Sequence, residues 1–296
     1  VTKVPNIKEQ VNLTSQTSWL IGGPADYFSE PDSVNSLQEA IKWSNENKIP
    51  FVVLGGGTNV LISESGIRGL VISLRKLTGI EILDSTKSLS FWALAGTNKS
   101  ELLKLFLKHK LAPAKFLAGL PGQVGGGVVM NAGVSEKLEP REFVEIVEEI
   151  EVLKPNGRLE ICRAKDLQWN YRHCEGWRPG IITRVKLSWP MGPDAKILEE
   201  VKALNKLRLK KQPLEWPNCG SVFRNPSRES AGSLIERAGL KGYTVGGAQI
   251  SEKHGNFIIN LGSAKASDVQ TLMHLCITTV QYKFGIQLKS EVVFLR

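Results

Sequence analysis

Apolar residues recur along this chain with two spacings, and the changes between them mark the elements. Val34, Leu37, Ala40 and Ile41 share one helical face behind Asp32 or Ser33, either of which can cap a first turn. A helix is therefore expected to about Asn47. The short apolar run Phe51–Leu54 reads as a strand, and residues 70–74 as another. Residues 99–110 return to helical spacing and bury Leu102, Leu103, Phe106 and Leu107. Strands are expected over 143–153, 158–162 and 180–189, the first two joined by the turn Pro155-Asn156-Gly157. Past Pro190-Met191-Gly192-Pro193, where the pattern breaks, helices are expected over 195–211, 230–238 and 267–284. Gly239 and Gly285 are the terminators of the last two. Strands are expected over 257–260 and 287–295, the latter carrying Glu291. Helices and strands mix without strict alternation, which favours α+β over a doubly wound sheet.

Two glycine-rich runs interrupt this pattern: Gly55-Gly56-Gly57-Thr58-Asn59-Val60-Leu61 and Leu120-Pro121-Gly122-Gln123-Val124-Gly125-Gly126-Gly127. Glycine lets a backbone turn sharply and brings bare N–H groups against a ligand, which suits a phosphate oxyanion. Two such runs beside apolar segments suggest two walls around one pyrophosphate. Neither matches Gly-x-x-x-x-Gly-Lys-Ser/Thr, and the first does not open a long helix, because Val60-Leu61-Ile62 reads as further strand. A flavin pyrophosphate held by loops between strands is the better match, with Asn59 and Asn131 as candidate side-chain donors. The bland alternative is a pair of tight turns in a packed sheet.

Composition narrows the classes. Hydrophobic content of 42% with 23% charged residues is that of a soluble globular protein, and 296 residues suit two or three domains. No apolar stretch is long enough for a membrane span, and residues 1–10 carry no signal-peptide core. Cys162, Cys174, Cys219 and Cys276 form no Cys-x-x-Cys pair, so neither metal nor disulfide framework is expected and a reduced cytoplasm fits. The net charge of +9 raises nucleic acid as a partner, but the basic residues are scattered and the seven tryptophans stand singly. Lys206, Arg208, Lys210 and Lys211 are the densest basic cluster; a solvated helix face is the bland reading, and anionic small substrates would account for the same charge.

Four segments carry a resemblance. They are Trp19-Leu20-Ile21-Gly22-Gly23-Pro24-Ala25-Asp26, the first glycine run, the second run extended through Asn131-Ala132-Gly133, and the stretch from Gly220-Ser221-Val222-Phe223-Arg224-Asn225-Pro226 to Ser251-Glu252-Lys253-His254 and Asn260. In this order they resemble the UDP-N-acetylenolpyruvoylglucosamine reductase family, also called UDP-N-acetylmuramate dehydrogenases. The resemblance implies a vanillyl-alcohol-oxidase-type FAD-binding fold in two subdomains, 1–78 and 79–190, then an α+β substrate-binding domain, 191–286. The C-terminal strand 287–296 is a candidate addition to the first subdomain.

The family's reaction implies FAD as cofactor, NADPH as co-substrate and a UDP-sugar as substrate, in the cytoplasm and with a monomer as the default. Hydride adds to C3 of an enolpyruvyl ether, so a cation must stabilise enolate charge and an acid must protonate C2. Arg172 matches the family's arginine, Ser221 its proton donor and Glu291 its carboxyl group. FAD-binding positions implied are Gly55, Gly56, Gly57, Thr58, Asn59, Val60, Leu61, Gly119, Pro121, Gly122, Val124, Gly125, Gly126, Asn131, Ala132 and Gly133. Tyr171, Lys211, Asn225 and His254 are the implied substrate contacts. Cys174 stands where the family usually has serine, and the short spacing from Arg172 to Ser221 resembles the subclass without an inserted tyrosine loop. The alternative reading is a flavin oxidase or dehydrogenase of the same fold with another substrate.

Overall fold

The computed structural model describes residues 6–134, 138–226 and 229–296. The chain forms two compact units. One contains Ser29–Gly56 and Val71–Leu207, the other Lys8–Phe28, Gly57–Leu70 and Arg208–Arg296.

The first unit is built on a five-stranded antiparallel sheet with the order Ile80–Asp84, Ser88–Leu94, Ile181–Pro190, Val147–Leu153, Leu159–Arg163. Alternation places Leu89, Phe91 and Ala93 on a buried face, with Val185 and Leu187 opposite Ala93 and Phe91 on the neighbouring strand. Helix Lys99–Lys108 covers that face: Phe106 meets Phe91 edge-on with ring centroids 5.7 Å apart. Full burial of such a side chain is worth about 2–3 kcal/mol. Helix Val34–Glu46 starts as expected at Ser33, whose hydroxyl accepts the Ser36 N–H while Ser36 reaches back. Strand Phe51–Leu54 is found with its expected bounds, and the strand expected over 70–74 starts earlier, as Ile67–Ser73.

In the second unit, Lys8–Asn12 pairs antiparallel with Pro24–Ser29, and Val293–Leu295 pairs in parallel with Val60–Ile62. The strands Thr244–Val245, Ala248–Ile250 and Ile258–Asn260 form a meander against helices Ala231–Arg237 and Ala266–Phe284. Gly285, at φ +68°, ends the long helix in the left-handed conformation that only glycine adopts without strain. Trp19 is fully buried among these elements. Its indole N–H donates to Ile258 O (2.7 Å), and Asn260 Nδ2 returns a bond to Trp19 O (2.9 Å).

Two element expectations need correction. Residues 143–145 form a 3-10 turn, and the strand begins only at Val147, because Phe143 turns inward against Phe116 instead of continuing the ladder. The terminal strand is likewise shorter, Val293–Leu295, so Glu291 lies on the approach to it. Among the described residues, no helix is long and apolar enough to cross a membrane, and no group of three or more His, Cys, Asp or Glu could hold a metal ion.

Candidate functional site

The first unit holds Gly55, Gly56 and the whole second glycine run, and the two turns touch. A methyl group on Gly56 would stand 3.1 Å from Gly122 Cα, and one on Gly55 would stand 3.5 Å from Gln123 Oε1. Gln123 is buried and its Oε1 has no hydrogen-bond partner. An orphaned buried acceptor costs about 1–3 kcal/mol, so its place between the glycines suits a donor-bearing ligand. Gly126 has open space where a side chain would begin. The second run is more structured than a loop: Val124–Val129 forms a short helix. Its first amides are not bare, because Val124 N–H donates to Thr97 O and Gly125 N–H to Ala95 O, both at 2.9 Å. Crowding against Ala95 and the Phe143 ring accounts for glycine at 125 and 127. The open backbone at Gly55 and Gly126, with the orphaned Gln123 acceptor between the two turns, fits FAD.

Lys99 anchors this run. Its backbone N–H donates to Gly122 O (3.0 Å) and its Nζ to Pro121 O (2.9 Å), with the ammonium 5.5 Å from the Phe143 ring centroid. Burial drives its pKa down to about 7, and the Arg172 charge adds to the fall.

Arg172 sits in the turn between strands Gln168–Asn170 and His173–Glu175 at φ +57°. Its Nη2 donates to Gly133 O (2.9 Å), its Nη1 lies 3.7 Å from Glu142 Oε1, and its guanidinium covers the exposed Tyr171 ring at 4.6 Å. Asn131 is committed to the protein: Nδ2 donates to Glu142 Oε2 (2.9 Å) and Asn170 O (3.2 Å), and Oδ1 accepts the Val144 N–H (3.1 Å). Its amide thus shapes the Arg172 turn. Cys174 is buried and burial pushes its thiol up to about 12, leaving it an inert space-filler.

The second unit gathers Ser221, Glu291 and Gly57 to Leu61. Gly220 at φ +82° turns the chain into Ser221, and its N–H donates to Asn218 Oδ1 (2.9 Å). Glu291 N–H donates to Val222 O (2.8 Å), directly after Ser221, and Asn59 Nδ2 donates to Glu291 O (3.0 Å). The thiol of Cys219, two positions before Ser221, is driven well up by burial, with the Glu291 charge adding to it. Ser221, Glu291 and Asn59 thus share one neighbourhood. Gly57, at φ +69°, is glycine for packing, since a side chain would overlap Gln16 O.

The expected substrate contacts are spread more widely. Asn225 Oδ1 accepts the Ala231 N–H (3.1 Å) ahead of helix Ala231–Arg237. Lys211 is exposed at the end of helix Ile197–Lys211. His254 packs on Phe257 and accepts the Asn256 N–H at Nδ1 (3.1 Å). Burial lowers its pKa, and the charges of Lys241 and Lys211 push the same way.

Three contributors escape a reading of the sequence. Asn256 fastens the segment after Ser221 with three bonds: its O and Oδ1 accept the Val222 and Phe223 N–H groups, and its Nδ2 donates to Phe223 O. Glu142 bridges Asn131 and Arg172, with no local pattern to announce it. Lys99 did leave a signal, because it falls on the same helical face as Leu102, Leu103 and Phe106.

A family model described as UDP-N-acetylenolpyruvoylglucosamine reductase, C-terminal domain, matches residues 212–295, and one described as FAD binding domain matches 25–163. The chain is 40% identical to the UDP-N-acetylenolpyruvoylglucosamine reductase of Caldanaerobacter subterraneus subsp. tengcongensis over 95% of its own length and 90% of the relative's. It is 38% identical to that of Streptococcus pneumoniae, over 97% and 93%. The crystal structure of UDP-N-acetylenolpyruvylglucosamine reductase from Thermus caldophilus superimposes with a TM-score of 0.81 at 32% identity, covering 98% of this chain and all of the other.

Proposed function

Because the chain belongs to the UDP-N-acetylenolpyruvoylglucosamine reductase family of FAD-binding oxidoreductases, we propose that it reduces UDP-N-acetylglucosamine enolpyruvate to UDP-N-acetylmuramate at the expense of NADPH. This is a step of peptidoglycan precursor synthesis. The observation that supports the reading best is local to the second unit: Glu291 is hydrogen-bonded to the residue after Ser221, and Asn59 of the first glycine run is bonded to Glu291. Both bonds are made by the Glu291 backbone, and they tie together three stretches of chain that carry the proposed proton donor, carboxyl group and cofactor loop.

When bound, FAD supplies hydride to C3 of the enolpyruvyl group, having been reduced by NADPH. Gly55 and Gly126 leave room beside the backbone for FAD, and Gln123 Oε1 offers an acceptor. Arg172 stabilises the charge that builds on the substrate carboxylate as C3 gains hydride. A guanidinium suits that task because it stays charged and presents a planar fork. Ser221 then gives its hydroxyl proton to C2, and Glu291 works with Arg172 on the enol. Tyr171, Lys211, Asn225 and His254 are assigned to the UDP-sugar. The chain is assigned to the cytoplasm, and its working form is assigned as a monomer.

The test separates the two half-reactions. Purified protein should be yellow, be bleached by anaerobic NADPH, and regain colour on adding the enolpyruvyl UDP-sugar. Ser221→Ala should leave bleaching intact and slow recovery about 10²–10⁴-fold. Equal slowing of both phases would remove Ser221 from its role, and a colourless protein that takes up no FAD would remove the whole reading.

A further inference from the structure

We propose that Glu142 is a positioning residue for Arg172, setting the direction of the guanidinium through one carboxylate oxygen and the shape of its turn through the other. The inference rests on the assignment of Arg172 above. Arg172 and Asn131 both adopt positive φ, +57° and +37°, a conformation that costs a non-glycine residue roughly 1 kcal/mol or more. Two strained turns persist only where their surroundings fix them, and these two fix each other. Asn131 donates to Asn170 O, two residues before Arg172, and Arg172 donates to Gly133 O, two residues after Asn131.

Glu142 closes the clasp. Its Oε2 accepts from Asn131 and its Oε1 faces Arg172 Nη1 at 3.7 Å. At that separation the contact is an ion pair rather than a hydrogen bond, and it favours one direction of the guanidinium. The backbone holds Glu142 in place. Gly133 bridges it, Phe143 N–H donates to Ala132 O, and Val134 N–H donates to Arg141 O. Position 133 must be glycine for this, because a side chain there would collide with Arg141 O and with Cγ of Glu142. The carboxylate also offsets the positive charge of Arg172, which it faces.

A purely structural Glu142, serving Asn131 alone, would act whatever stood at position 172, and a double-mutant cycle tells the two apart. Glu142→Gln, Arg172→Ala and the double variant are prepared as FAD-loaded proteins, and each half-reaction is followed by stopped-flow absorbance. Glu142→Gln should slow reoxidation by the enolpyruvyl UDP-sugar about 10-fold or more while bleaching by NADPH changes less than about 2-fold. In the Arg172→Ala background the same change should add less than about 2-fold. Glu142→Asp, which keeps the charge, should recover part of the rate and serves as the second variant if the glutamine form folds poorly. Equal effects in both backgrounds, or an unaffected reoxidation rate, overturn the inference and leave Arg172 in its role. An Arg172→Ala protein with normal reoxidation overturns the assignment of Arg172, and the inference with it.

Discussion

The two glycine-rich runs look alike in sequence and are built differently. In the first, the division of the chain falls between Gly56 and Gly57. Gly57 is there because the backbone of Gln16 leaves no room, whereas Gly55 has no such constraint. In the second, Gly125 and Gly127 are explained by Ala95 and Phe143, the first amides are taken by Thr97 and Ala95, and Gly126 has nothing beside it. A glycine run is thus a mixture of packing glycines and open ones. Only the open ones, Gly55 and Gly126, are free to answer to a ligand.

The largest expected effect tests the packing half of that division. Gly57→Ala should cost about 3 kcal/mol or more in urea unfolding, because the added carbon meets immobile backbone at positive φ. A change below about 1 kcal/mol would show that the Gln16 segment yields easily. Lys99→Met probes the anchor of the second run. Burial lowers the Lys99 pKa to about 7, so between pH 7 and the ordinary lysine value the unfolded chain binds the proton that the folded chain has released. Stability therefore rises with pH through this window, by about 2 kcal/mol from pH 7 to 9. The methionine variant should lose that rise, and denaturant midpoints measured across the window read it directly. A variant with the same pH slope as the parent would remove Lys99 as its source.

Gly126→Val tests the open half. It should leave the melting temperature within about 2 °C, since nothing packs there, yet weaken FAD binding about 10-fold or more in a flavin fluorescence titration. Unchanged FAD affinity would return Gly126 to an ordinary turn position. The smallest effect is expected from Gln123→Leu. Removing an orphaned buried acceptor should stabilise the FAD-free protein by about 1 kcal/mol and weaken FAD binding several-fold. If FAD-free stability falls instead, the Gln123 amide is already satisfied.

Periodicity and turn chemistry carried the fold a long way. The Ser33 cap, strand Phe51–Leu54, the turn at Gly157 and the Gly285 terminator all follow from local rules, because each depends on neighbours within a few residues. Local rules failed where a side chain answered to something distant. Phe143 left its strand for a place against Phe116, and Glu291 fell short of the terminal strand because its N–H is drawn to Val222.

The same line divides the site. Motif order alone identified the family and nominated Arg172, Ser221 and Glu291, since residue type and order survive in the linear chain. Only folding could reveal that Glu142 spans Asn131 and Arg172, that Asn256 fastens the segment after Ser221, and that the Lys99 ammonium rests on a loop carbonyl. Hydrogen-bond direction, burial and the electrostatics that follow from it are properties of atoms brought within a few ångströms across long stretches of chain. A sequence lists the partners; the tertiary structure decides which of them meet.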